Sequence, residues 1–120
     1  MYEIKILNAA LPFNPDDADQ AEALENALQA LAHAAVGLEQ QRNTLTASAY
    51  IRKYFAIHSD FFNAVFSPDA SGKIFADQKT DMTVCETAFD QFIDALSAVR
   101  AAALAKHNAH WKKYLPESND

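Results

Sequence analysis

The chain is short of nearly everything that would make a disulfide-braced, turn-rich or membrane-spanning protein. It has one cysteine, two glycines and four prolines in 120 residues. A single Cys excludes an internal disulfide framework and fits a reducing compartment. So few Gly and Pro exclude a sandwich or barrel with many tight turns. No uncharged apolar run reaches the roughly 18 residues that a membrane span needs, and Met1-Tyr2-Glu3-Ile4-Lys5 has no signal-peptide pattern. Basic residues are also scarce. The net charge of −6 argues against a nucleic-acid binder, which needs a basic face to displace counterions.

Half of the residues are apolar, many of them alanine. Abundant Ala with scarce Gly favours long helices. The expected fold is therefore mainly α: a three-helix bundle of two long helices and one aromatic-rich helix, with a short N-terminal β-hairpin. One domain covers residues 1–120, divided into a hairpin at 1–13, a bundle at 15–114 and a tail at 115–120.

Tyr2-Glu3-Ile4-Lys5-Ile6-Leu7 alternates apolar and polar residues, the period of a half-buried strand. Asn8 supplies a turn, and Leu11-Pro12-Phe13 returns as an edge strand that tolerates Pro12. Asn14 or Asp16 is placed to cap the first helix, with Pro15 in its first turn. Ala21, Leu24, Leu28, Leu31, Ala35 and Leu38 then recur at steps of three and four, giving a seam to about Arg42. Thr44 or Thr46 caps a second helix whose stripe is Tyr50, Ile51, Tyr54, Phe55, His58, Phe61, Phe62, Val65 and Phe66. Ser67-Pro68-Asp69 ends it, because a residue before Pro avoids helical angles. A helical turn follows at Gly72–Phe75. Thr80 or Asp81 caps the third helix, with Met82, Cys85, Phe89, Phe92, Leu96, Val99 and Ala103 on one face and Ile93 widening it. That helix is expected to reach Lys113 or Tyr114.

The chemistry-bearing residues form no catalytic set. His107 and His110 share a helix face, but a metal site needs further ligands that the neighbourhood does not offer. Cys85 lies among Met82, Val84 and Phe89 and reads as a small buried hydrophobe. His33 and His58 read as packed histidines. Glu86, Asp90 and Asp94 form an acidic ridge that suits either solvent or a basic partner. No phosphate loop, nucleophile elbow or zinc motif occurs. No catalytic, cofactor-binding or metal residues are assigned, and the expectation is a non-enzymatic protein.

In order along the chain, Tyr2-Glu3-Ile4-Lys5-Ile6, Asp16-Asp17-Ala18-Asp19, Phe61-Phe62-Asn63-Ala64-Val65-Phe66, Gly72-Lys73-Ile74-Phe75 and Asp81-Met82-Thr83-Val84-Cys85-Glu86-Thr87-Ala88-Phe89-Asp90-Gln91-Phe92 resemble an uncharacterised family of small phage or prophage proteins of tail assembly chaperone type. The resemblance implies a cytoplasmic protein of the bacterial host that binds the apolar, helical tape-measure protein or another tail component. Partner-binding residues would be Tyr54, Phe61, Phe62, Phe66 and Phe75, left partly uncovered. Relatives would carry a basic tail, whereas this chain ends Leu115-Pro116-Glu117-Ser118-Asn119-Asp120. The alternative is an acidic inhibitor, an immunity protein or DNA mimic, acting through Glu86, Asp90, Asp94 and the cluster from Asp16 to Glu25. Homo-oligomerisation through the hairpin edge or the first-helix seam suits either reading.

Overall fold

The computed structural model describes residues 2–116. The protein is mainly helical, with three long helices and an N-terminal antiparallel hairpin. β1 (Tyr2–Ile6) and β2 (Ala9–Phe13) pair with Ile6 opposite Ala9 and Tyr2 opposite Phe13. The alternation works as expected: Ile4, Ile6, Ala9, Leu11 and Phe13 point inward, while Glu3, Lys5, Ala10 and Pro12 face out. β2 starts two residues earlier than the Leu11–Phe13 expected from its apolar run. Hydrogen-bonded pairs alternate from the closing pair Ile6–Ala9, so Pro12 falls at a non-bonded position and costs no ladder bond. The turn is Leu7-Asn8, with Asn8 in it as expected, and Leu7 takes the left-handed conformation, φ 52°. A side chain in this left-handed region is strained by about 1–2 kcal/mol. Its amide donates to Gln91 Oε1 at 2.7 Å, which anchors the turn.

Asn14 Oδ1 accepts from Asp16 N in a local turn, and this moves the first helix cap to Asp17. Asp17 Oδ1 accepts from Asp19 N at 2.8 Å and from Gln20 N at 3.4 Å. Pro15 thus precedes α1 (Ala18–Gln40), which stops two residues before Arg42. Its buried positions are Leu24, Ala27 and Leu38; Ala35, placed in the seam by spacing, is exposed. Arg42 ties the following turn together, donating to Tyr50 Oη at 3.0 Å and pairing with Glu39 at 3.2 Å.

Thr46 caps α2 (Ala47–Val65) through Ala49 N. α3 (Ala70–Ile74) is capped from a distance, Asn63 Oδ1 accepting from Ser71 N at 2.8 Å. Asp69 precedes it and is held below the usual carboxylate range by the Ser67 hydroxyl and then by Lys73. Asp77, with φ 63°, turns the connector, a conformation that Asp tolerates. Asp81 caps α4 (Met82–Lys112) through Thr83 N at 2.7 Å.

α1 and α2 form an antiparallel helical hairpin. α4 packs chiefly along β1 and more lightly on α2, so the bundle is completed by the hairpin. Cys85, Ala88, Phe92, Leu96, Val99 and Ala103 form the buried stripe of α4; Ile93, expected to widen it, is 39% exposed. The core gathers inward residues of the hairpin, Leu24 and Ala27 of α1, Phe61, Phe62 and Val65 of α2, Ile74 and Phe75, and the α4 stripe. Each fully buried Phe contributes about 1.5–3 kcal/mol. The whole is elongated, 64 × 29 × 24 Å. No helix among the described residues is long and apolar enough to cross a membrane.

Candidate protein-docking site

The aromatic residues expected to hold a partner divide into two groups. Phe62 is fully buried, Phe61 is 2% exposed and Phe75 8%. Their rings pack inside the molecule: Phe61 lies 5.5 Å from Phe92, Phe62 lies 6.0 Å from Phe92, and Phe62 lies 5.9 Å from Phe75. These centroid distances suit edge-on aromatic packing. The expectation that Phe61, Phe62 and Phe75 stay uncovered is therefore corrected. α4 supplies Phe92, the ring that covers Phe61 and Phe62, while Phe75 lies between Phe55 and Phe62.

Phe66 is half-buried and edge-on to Phe13 and Phe92. Tyr54 is also half-buried, but its hydroxyl is engaged, donating to Glu86 Oε2 at 2.7 Å. Burial and then this bond push the phenol well above its ordinary range. Glu86 is exposed, as are Asp90 and Asp94, but its carboxylate is engaged by this bond. His58 is buried as expected, its Nδ1 donating to the Tyr54 carbonyl at 2.8 Å. His33 is exposed, against expectation. Cys85 is buried and its thiol is pushed up to about 11, burial being the main cause. A thiolate nucleophile needs the opposite shift.

His107 does not pair with His110; its Nε2 meets Asp16 Oδ1 at 2.9 Å. Among the described residues no group of three or more His, Cys, Asp or Glu could hold a metal ion. The acidic end of the tail, Glu117–Asp120, lies outside the described residues.

One face of the α1–α2 hairpin is open. A cleft of about 300 Å³ is lined by Ala27, Ala30, Leu31, Ala34, Ile57, Asp60, Phe61 and Ala64. A second, of about 410 Å³, continues toward the helix tips along Ala34, Gly37, Leu38, Lys53, Ala56 and Ile57. Ala34 and Ile57 belong to both, so the two form one trough. Its walls are low because the side chains are small. The sequence signal was Ala27, Ala30, Ala34 and Gly37 at steps of three and four beside the leucine seam, with Ala56 and Ala64 on the opposing helix.

Fold and trough together describe a mainly helical protein with an open, alanine-lined cleft on one face of its α1–α2 hairpin. The chain belongs to the family of unknown function DUF6673, whose model matches residues 7–119. No curated protein and no solved structure matches the chain.

Proposed function

We propose that this chain is a non-enzymatic holder of an apolar helix from another protein. In this reading it is a phage or prophage tail assembly chaperone whose client is the tape-measure protein. The observation that carries the reading is the alanine-lined trough between α1 and α2. An amphipathic helix docks by laying its apolar face in a groove. Small residues let the backbones approach closely, and Leu31, Leu38 and Ile57 supply the apolar floor. The half-buried rings Tyr54 and Phe66 belong to the packed body, so the trough replaces the aromatic stripe as the docking surface. The net charge of −6 keeps a complex with an apolar client in solution.

The test is co-expression with a tape-measure protein, followed by co-purification. Ala34→Glu and Ile57→Glu place carboxylates in the trough and are expected to abolish capture while the helical circular-dichroism signal persists. Capture unchanged by both substitutions, or no solubilisation of the client by the unaltered chain, would overturn the reading. Binding to an apolar face should be nearly insensitive to salt. A steep loss of binding with salt would instead favour an acidic inhibitor acting through Asp90, Asp94 and the Asp16–Glu25 cluster.

A further inference from the structure

The last turns of α4 leave the body. From Leu104 to Pro116 every residue is exposed, although the helix continues to Lys112. This arm carries large apolar side chains in water: Leu104 is 61% exposed, Trp111 57%, Tyr114 69% and Leu115 59%. Leu104 and Trp111 are seven residues apart and share one face. From Leu104 to Pro116 the arm has three cations, Lys106, Lys112 and Lys113, and no carboxylate. The start of α1 has the reverse composition. From Asp16 to Glu25 there are five carboxylates, Asp16, Asp17, Asp19, Glu22 and Glu25, and no cation. Among the described residues neither the three arm cations nor Asp19, Glu22 and Glu25 are engaged in an ion pair. The two regions already touch within one molecule, through His107 and Asp16 at 2.9 Å.

We propose that the α4 arm docks on the acidic first turns of α1 in a second copy of this chain. Charge selects this partner. Two arms laid against each other would bring three cations against three, whereas arm against α1 brings opposite signs together. Arm and acidic turns meet at His107 and Asp16 in each molecule, so two copies related by a two-fold axis would make both contacts at once. Reciprocity is needed, because stable interfaces bury roughly 1,200–2,000 Å² in total and one short helical arm offers less. Trp111 and Leu104 provide the apolar centre, and Lys106, Lys112 and Lys113 reach Asp19, Glu22 and Glu25 at its rim.

Trp111 is the only tryptophan, so its fluorescence reports the arm alone. Light scattering and Trp emission are measured across a concentration series at roughly 0.05 M and 0.5 M salt. A dimer with blue-shifted emission is expected at low salt, weakened by about tenfold or more at high salt. The double variants Lys112→Glu/Lys113→Glu and Glu22→Lys/Glu25→Lys should each be monomeric, and a mixture of the two should associate again. All four sites are exposed, so folding is expected to survive; circular dichroism checks it. A monomer with red, quenchable Trp emission at every concentration would overturn the proposal. So would a dimer that ignores salt and both charge reversals.

Discussion

The two halves of α2 carry the same kind of aromatic stripe but meet different neighbours. From His58 to Val65 the stripe faces rings, Phe89 and Phe92 of α4, and His58, Phe61, Phe62 and Val65 are buried. From Ala47 to Ile57 no residue is buried: Phe55 meets Phe75, Tyr54 meets the Glu86 carboxylate, and Ala56 and Ile57 look onto Ala34 and Gly37 across the trough. Whether a ring is covered therefore depends on how many rings the neighbouring elements bring to it, not on the stripe itself. The base of the molecule is a closed aromatic core. The upper helical hairpin is a shallow, open pair.

The sharpest way to break this contrast is to remove a ring from the base. Phe62→Ala leaves a cavity among Phe61, Phe75 and Phe92 and should cost about 3–5 kcal/mol, read from urea or thermal unfolding. Ala56→Leu in the upper hairpin, where the site is exposed, should change stability by less than about 0.5 kcal/mol in the same assay.

Caps should come next. Asp17→Ala removes the acceptor of two α1 amides and should cost about 1 kcal/mol. Comparable losses at base and upper hairpin caps, Asp17 and Thr46, would show that the two regions unfold as one unit.

A pH titration separates the regions differently. Tyr54 and Cys85 both hold their protons in the folded chain above their ordinary values of about 10 and about 9. The unfolded chain releases those protons first, so the stability they contribute is intact below pH about 9 and is lost as pH rises beyond it. Tyr54→Phe should flatten part of this alkaline limb and cost about 0.5–1.5 kcal/mol at neutral pH through the lost bond to Glu86. Native Cys85 should resist alkylation until denaturant is added.

The smallest expected change has the opposite sign. Nothing lies within 4 Å of a Cβ built on Gly37. Gly37→Ala should therefore stabilise α1 by up to about 1 kcal/mol, measured by thermal unfolding. Destabilisation would mean that the upper hairpin is packed more tightly than the open trough implies.

The hairpin, the three long helices and the short α3 were legible because their signals are local. Alternation marks Tyr2–Ile6, and Thr46 and Asp81 were recognisable caps. The cap of α1 was misplaced because three Asx residues compete there and Asn14 is used in its own turn. The burial of Phe61, Phe62 and Phe75 was not legible. Periodicity tells which residues share a face but not what closes over it, and here the cover comes from Phe92, thirty residues on. The trough escaped notice because alanine serves equally as core filler and as bare surface. The arm escaped because a helical repeat does not reveal where its partner stops.

The bond from Leu7 to Gln91 has a consequence for the order of assembly. It joins positions 84 residues apart and holds the bend of a hairpin that is made before all three long helices. A two-stranded ribbon is barely stable by itself in water. While a ribosome is still making the middle of the chain, the opening ribbon has neither its anchor nor the helix that shields Ile4 and Ile6. It must wait until α4 has been made, so the docking of this ribbon on α4 is expected to be a late step in folding.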